Sequence, residues 1–388
     1  MAKKTRGEGG EKHGGAEKNG RSRSKRRGNY NKDENSNSDT DSVLNDTASV
    51  GSGYSSAELR RANAEANQEN GGAENGDFVL IKTITPLSTF FTQISKITVQ
   101  DILEHGLKRA DDEAGAAAVI LSLVLITLGS TDYCDELYRE LFPTLDRLFM
   151  DTKAKPHVRA KCATALSLGC FITDSGLEKS RQVLGQLLAV GFTTVKGHPD
   201  PGQLTAIAHL RAACLDNFSF LVSVEADDYL VDALEENIDQ LAGCLDSPYL
   251  GLRVAAGEAI ALLVERARAA VDEEEDGNSQ DNFYLAHFDE ICAKLQSLAT
   301  DSQKSKSKKE LREQRLNFRQ ILKTVEGERY GEETVKVGHQ ERVLIGCWQS
   351  RRYYDTFCSV LGSGMSLHLT QNVLLRDIFD MGAVAPEL

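Results

Sequence analysis

The sequence predicts an all-α fold: an armadillo- or HEAT-like α-solenoid with a disordered amino-terminal arm and a small, mostly helical carboxy-terminal module. One observation is a recurrent segment in which an arginine precedes a run of small residues, with Arg159, Arg211 and Arg253 spaced by 52 and 42 residues. Repeats of about 40–47 residues are typical of solenoids, whose units bury their apolar faces by stacking. The other is composition, because 6% aromatic residues, one Trp and seven Pro suit helices better than a β-sandwich.

The segment 250–270, LGLRVAAGEAIALLVERARAA, is the centre of this prediction. Its apolar residues recur at three- and four-residue steps and extend around most of the helix, so the helix is expected to be interior. Ala255, Ala256 and Ala259 are small enough to let neighbouring helices approach closely. A large side chain in that position is expected to cost about 1–3 kcal/mol by overpacking.

Three further segments repeat this design. Residues 155–173 and 208–224 each contain the arginine, the small residues and then a Leu-, Phe- or Val-rich end, whereas residues 114–129 have Ala114 at the arginine position. An alanine-rich helical bundle without serial stacking would give the same local pattern, and it is the alternative architecture.

Cysteine usage and hydropathy limit the class of protein. The eight cysteines are scattered without a CxxC pair, which predicts a reducing compartment, no disulfide framework and no structural zinc. The longest apolar run is shorter than the ~20 residues that a membrane span needs, and the amino terminus has no apolar signal segment. A soluble, intracellular protein is therefore expected.

The net charge of −13 is unevenly distributed. Residues 1–28 carry ten Lys or Arg against three Glu, and residues 304–323 carry eight against two, so these segments contribute +7 and +6 and the remainder −26. Local basic segments on an acidic body are typical of a protein that contacts a polyanion at limited sites.

Residues 1–78 form the predicted arm, since they contain too few apolar residues to offset the entropy of ordering. Within it, the Ser- and Asp-rich stretch 35–56 is interpreted as a phospho-acceptor tract or an ordinary linker. A basic cluster is a candidate nuclear-localisation signal or nucleic-acid arm, with a solvated charge run as the alternative. The cluster consists of Arg21, Arg23, Lys25, Arg26 and Arg27.

The repeat domain is predicted to cover residues 79–300. Gly, Asp, Ser and Pro residues between its helices supply cap and turn chemistry. The acidic stretch 272–282 is interpreted as a solvated loop rather than a metal site, because no histidine accompanies its carboxylates. Helices are expected at about 96–110, 113–128, 133–150, 156–172, 176–190, 203–223, 228–244, 248–270 and 283–299.

Residues 301–330 are predicted to hold a basic amphipathic helix and linker. The apolar side is expected to dock on the end of the solenoid, while the cations face RNA or an acidic protein. A solvated helix face is the alternative. The predicted apolar side consists of Leu311, Leu316, Phe318, Ile321, Leu322 and Val325. The candidate polyanion contacts are Lys306, Lys308, Lys309, Arg312, Arg315 and Arg319.

Residues 331–388 are predicted to form a module of one short hairpin and two helices. The hairpin is expected within 334–346. The first helix follows Trp348, and the second runs from Leu367 to Met381. The GSG sequence at 362–364 is interpreted as a C-cap and tight turn rather than a phosphate cradle, because no strand or lysine accompanies it.

No catalytic, cofactor or metal site is predicted. The sequence lacks the GxSxG, GxxxxGK[ST] and HExxH patterns and a GxGxxG after a strand. Its histidines have no i, i+4 ligand partners, and the two in helical apolar context, His209 and His368, are expected to be packing groups. An enzyme would need a concave polar pocket with convergent titratable groups, and it is the remote alternative.

Two blocks of the sequence resemble the interferon-related developmental regulator family. They are LRVAAGEAIALLVERAR at 252–268 and the stretch 347–382, and residues 298–319 and the Ser/Asp tract fit the same family. The carboxy-terminal block with LGSGM is the most specific part. Its family motif comprises Trp348, Tyr354, Phe357, Leu361, Gly362, Ser363, Gly364, Leu375 and Phe379.

The resemblance implies an armadillo-like fold without catalytic activity. It also implies a transcriptional co-regulator that recruits histone-deacetylase complexes, or a factor associated with translationally inactive ribosomes. Vertebrate members continue past the matching block with a further helix and a basic tail, whereas this sequence ends at Leu388. On the resemblance, ribosome engagement is therefore expected to be weaker.

The primary hypothesis is an adaptor that regulates gene expression in the nucleus and cytoplasm and binds other proteins through the grooves of its solenoid. The alternative is a ribosome- or RNA-associated translational regulator that uses the segment 304–323. Neither hypothesis requires a cofactor, a membrane or a small-molecule substrate.

Overall fold

The structure, a computed structural model, describes residues 96–109, 111–194, 197, 200–274, 287–302, 307–337 and 341–383. The predicted arm with its basic cluster and Ser/Asp tract lies outside these residues, as does Lys306. In the described part the all-α prediction is confirmed, with one two-stranded sheet. The first ten helices are α1 (Lys96–Leu107), α2 (Asp112–Leu128), α3 (Asp132–Met150), α4 (Pro156–Ile172), α5 (Leu177–Gly191), α6 (Pro201–Val222), α7 (Asp227–Cys244), α8 (Leu250–Glu274), α9 (Phe288–Thr300) and α10 (Lys308–Val325).

These helices pack as consecutive pairs whose second members are stacked in series. Each odd-numbered helix contacts the even-numbered helix that follows it, and α2, α4, α6, α8 and α10 contact one another in that order. Serial stacking of this kind is the packing that a solenoid predicts and an isolated bundle does not. The basic segment predicted as a helix and linker supplies α10, so it is the second helix of a fifth pair with α9.

The repeated arginines link the two helices of a pair. The Nε atom of Arg159 donates to the carbonyl of Phe149 at 2.7 Å, and that of Arg211 donates to the carbonyl of Gly191 at 2.8 Å. Arg253, which is buried, donates from Nη1 to the carbonyl of Ser247. For Arg159 and Arg211 the cation lies where the preceding odd-numbered helix ends, at the negative end of its dipole, whereas Arg253 binds the loop between α7 and α8. The three arginines are therefore structural.

The small residues of α8 lie where helices approach closely, as the sequence predicts. Ala255, Ala256 and Ala259 are buried. A Cβ atom added to Gly257 would lie 2.9 Å from Ile321 Cδ1 and 3.0 Å from Phe318 Cε1, both in α10. Helix α8 is thus covered by neighbouring helices on several sides.

The carboxy-terminal module begins with an antiparallel hairpin of β1 (Glu333–Val337) and β2 (Glu341–Ile345), in which Val335 faces Val343. Helix α11 (Trp348–Leu361) follows and ends at Gly362, whose φ of 55° favours glycine. Residues Gly362–Gly364 form a turn of 3₁₀-helix, which leads into α12 (Met365–Gln371) and α13 (Val373–Ile378).

The prediction of one helix from Leu367 to Met381 is therefore wrong. Asn372 adopts an extended conformation, and its side chain accepts a hydrogen bond from the backbone N–H of Leu375 at 3.3 Å, which starts α13. A side chain that caps a new helix interrupts the previous one, although the apolar periodicity continues through it.

Candidate interaction surfaces

Helix α11 lies across the face of the stack formed by α2, α4, α6 and α8, which we call the even-numbered face. An aromatic cluster forms the centre of this contact. Phe171 of α4 and Phe220 of α6 have ring centroids 4.6 Å apart, and Tyr353 of α11 lies 5.2 Å from Phe171 and 5.7 Å from Phe220. Phe357, fully buried, completes the cluster at 6.0 Å from Phe220.

Buried charges hold α11 to the same face. Arg352 of α11 is 6% exposed at its side chain and forms ion pairs with Glu258 of α8 and, at 3.0 Å, with Asp216 of α6. Burial raises the pKa of Glu258 to about 7 and also raises that of Asp216, while the Arg352 guanidinium acts in the opposite direction. We expect the triad to stay ionised at neutral pH, because a buried guanidinium requires a counter-ion.

A second carboxylate of α8 binds the start of α11. Glu265, seven residues after Glu258 and on the same side of the helix, accepts a hydrogen bond from the backbone N–H of Trp348 at 2.8 Å. Burial raises the pKa of Glu265 to about 7, and the Trp348 N–H and the nearby Arg266 lower it only in part. The Trp348 indole donates to Thr324 Oγ1 of α10 at 2.8 Å. The amino-terminal end of α11 is therefore fixed to the last two even-numbered helices.

The other end of the module reaches the first repeats. The Asn372 amide donates to the carbonyl of Ile126 in α2 at 2.8 Å, and Leu374 lies against Gly129, where α2 ends. Arg376, 2% exposed, donates to the Glu341 carboxylate of β2 and to carbonyls near the end of the described chain. The module thus spans the even-numbered face from α8 to α2.

This arrangement limits where a partner can bind. The primary hypothesis places partners in the grooves of the solenoid, but the central part of the even-numbered face is filled by the chain's own α11. Partner binding elsewhere on the stack stays a prediction.

The family-motif residues of the module divide into a buried and an exposed set. Trp348, Phe357, Leu361, Leu375 and Phe379 are buried, and Phe379 packs edge-on against Tyr354 and Phe357. Gly362 and Ser363 are exposed, whereas Gly364 is buried. His368 is buried beside Asn372, so it is a packing group as expected, whereas His209 is exposed.

The candidate polyanion contacts lie mostly on the outward side of α10. Lys308, Lys309, Arg312 and Arg319 are exposed, and Arg315 is half-buried. The assignment of Leu316 to the apolar side is wrong, because its side chain is 54% exposed. It lies on the side of α10 opposite Phe318 and Ile321, among the cations.

Several residues that hold the module against the stack are not identified by the sequence patterns. They are Arg351, Arg352, Arg376, Glu258 and Glu265. One signal was available: Arg352 lies between Trp348 and Thr356 on the buried side of an amphipathic helix. An arginine at such a position requires a buried carboxylate partner.

Two of the buried cysteines carry thiols that are hard to ionise. Burial raises the pKa of the Cys134 and Cys162 thiols to about 12, which suppresses the nucleophilic thiolate. Within the described ranges, no cluster of three His, Cys, Asp or Glu side chains has the geometry to bind a metal ion. None of the described helices is both long and apolar enough to cross a bilayer.

Comparison with known proteins agrees with the family resemblance. Residues 88–326 match the model of the interferon-related developmental regulator family. The chain is 36% identical over 291 residues to Interferon-related developmental regulator 2 of Mus musculus, covering 74% of this chain and 64% of that protein. It is 32% and 31% identical over 290 residues to Interferon-related developmental regulator 1 of Sus scrofa and of Homo sapiens, covering 74% of this chain and 62% of each relative. The match thus spans less than two thirds of the length of these relatives. The chain belongs to the interferon-related developmental regulator family.

Proposed function

We propose that the chain is a non-catalytic helical-repeat adaptor that regulates gene expression, in the nucleus and cytoplasm, by binding other proteins. The observation that carries the proposal concerns the two glutamates of α8 whose pKa values are raised, because both bind α11. Carboxyl groups with strongly raised pKa values are candidates for catalytic groups. Here Glu258 and Glu265 both bind α11, so they serve the packing of the module.

The names of the relatives support the same role, because they describe developmental regulators. A stack of helical pairs presents a long surface to partners without needing a pocket. By the family resemblance, the partners include histone-deacetylase co-repressor complexes.

Affinity purification of the intact chain, with and without nuclease, tests this proposal. We expect deacetylase activity to co-purify and to survive nuclease treatment, since the contact is between proteins. Loss of all co-purifying deacetylase activity after nuclease treatment would contradict a direct protein contact.

A second candidate function is ribosome or RNA association through α10. It is favoured by the exposed cations Lys308, Lys309, Arg312 and Arg319. Binding to phosphates would weaken with salt, with a log–log slope of about −0.7 to −0.9 per contact. Charge reversal at Lys308, Lys309, Arg312 and Arg315 is expected to abolish co-sedimentation with ribosomes, and unchanged co-sedimentation would exclude this function.

A further inference from the structure

Helix α10 carries a straight row of side chains on the side that faces away from the stack. The row is Lys309, Arg312, Leu316, Arg319 and Lys323, all exposed, and we call it the α10 seam. Its steps of three and four residues keep all five on one side of an α-helix over about 21 Å of its length. This side lies opposite the buried residues that contact α8 and α9.

Among the described residues, few carboxylates form ion pairs with the cations of the seam. Lys323 pairs with Glu328 at 2.9 Å, and both side chains are exposed. No carboxylate among the residues that the structure describes forms an ion pair with Lys309, Arg312 or Arg319. Among the described residues, the seam is therefore a cationic surface on which Lys309, Arg312 and Arg319 have no carboxylate partner.

The cations of the seam could attract either a nucleic acid or an acidic protein, and Leu316 distinguishes between these two classes of partner. It is 54% exposed at the centre of the row, with Arg312 and Arg319 one turn to either side. A phosphate backbone offers charge to the two arginines but no apolar surface to the leucine. A helix with apolar residues flanked by carboxylates offers both charge and apolar surface.

We propose that the α10 seam docks an acidic amphipathic helix of a partner protein. Leu316 packs into the apolar stripe of that helix, and Arg312 and Arg319 pair with the carboxylates that flank the stripe. This inference rests on the proposed function, in which the chain binds other proteins, and it assigns one surface and one class of partner to that role.

A synthetic peptide tests the inference on the full chain. The probe is a 21-residue Leu/Glu heptad peptide that is helical in solution, and its control is a peptide of the same composition with the leucines dispersed. Fluorescence anisotropy is expected to show at least about tenfold tighter binding of the heptad peptide, because only it aligns an apolar stripe with its carboxylates.

Three variants of the chain complete the test. Leu316→Ala is expected to weaken the heptad peptide by about tenfold and to leave binding of the dispersed peptide and of an oligouridylate unchanged. The double variant R312E/R319E is expected to weaken the heptad peptide by more than tenfold. The matched double variant K336E/R342E makes the same change in charge on the exposed hairpin and is expected to change binding by less than twofold.

Two results would overturn the inference. One is that Leu316→Ala has no effect and the two peptides bind equally, while R312E/R319E abolishes oligouridylate binding, which would identify a phosphate-binding surface. The other is that R312E/R319E and K336E/R342E weaken the heptad peptide equally, which would indicate unspecific attraction. Neither result bears on nuclease-resistant co-purification of deacetylase activity, so failure of the seam and failure of the adaptor role are distinguishable.

Discussion

Gly169 of α4 faces the ring of Tyr138 in α3 at a contact that admits no side chain. A Cβ atom at this position would overlap the Tyr138 ring. The ring cannot easily move aside, because its hydroxyl donates to the carbonyl of Leu166 at 2.8 Å and the residue is buried. Gly169→Ala is therefore expected to lower the free energy of unfolding by about 3 kcal/mol, as measured by urea denaturation.

Gly185 of α5 provides the matched control. A Cβ atom there would meet nothing within 4 Å, so Gly185→Ala is expected to be neutral or to stabilise the helix by up to about 1 kcal/mol. Equal losses in the two variants would show that the packing of α3 on α4 is not as tight as described.

Glu265 gives the stability of the chain a pH dependence of known sign. Its pKa is raised from 4.5 to about 7 by burial, so the folded state holds the proton more tightly than the unfolded state. The contribution of this group to stability is fully present below about pH 4.5 and is lost as the pH rises through about 7. Gln does not titrate and can still accept the hydrogen bond from Trp348.

Glu265→Gln is therefore expected to gain stability relative to the wild type as the pH rises from 5 to 7. We expect the gain to be about 1–3 kcal/mol, followed by a plateau. Urea denaturation of both proteins across pH 5–8 measures this difference. A difference that does not change with pH would rule out the assigned pKa.

At the scale of the element, α11 depends on Arg352. Arg352→Leu leaves the carboxylates of Glu258 and Asp216 without their counter-ion, so it is expected to cost about 3–5 kcal/mol. The double variant R352L/E258L is expected to be more stable than the sum of its single variants predicts, by at least about 1 kcal/mol. The exposed Arg342→Leu is the control, with a change within about 0.5 kcal/mol. Additive losses for Arg352 and Glu258 would mean that the two side chains do not interact.

The elements also show what the sequence can and cannot predict. Helix spans from α2 to α8 follow from local periodicity and turn residues, because apolar faces and caps are local properties. The break at Asn372 was missed, since the leucines on both sides continue one periodic pattern. Leu316 was misassigned because composition alone placed it on the apolar side. Its angular position relative to Phe318 would have shown that it faces outward.

Contacts between residues that are far apart in the sequence cannot be predicted from local periodicity. Arg352 and Asp216 are 136 residues apart, and Asn372 and Ile126 are 246 apart. No pattern in the sequence pairs them, so the position of the module across the even-numbered face cannot be predicted from the sequence. The stacking of the repeats was predictable because it recurs, whereas the position of the module occurs once.

In the described stack and module as a whole, α11 is a permanent part of the core. The aromatic cluster, the buried ion pairs and the contacts at both ends of the module all indicate this. A permanent α11 leaves the outward sides of the stack, such as the α10 seam, for partners. A detachable α11 would instead make the even-numbered face the binding surface and the module its regulator.

Hydrogen exchange of the intact chain separates these two cases most directly. If α11 is permanent, its central amides, 352–360, are expected to exchange as slowly as those of α8, 256–264, because both helices open only in global unfolding. Exchange of α11 that is about 100-fold faster, while α8 stays protected, would contradict a permanent α11.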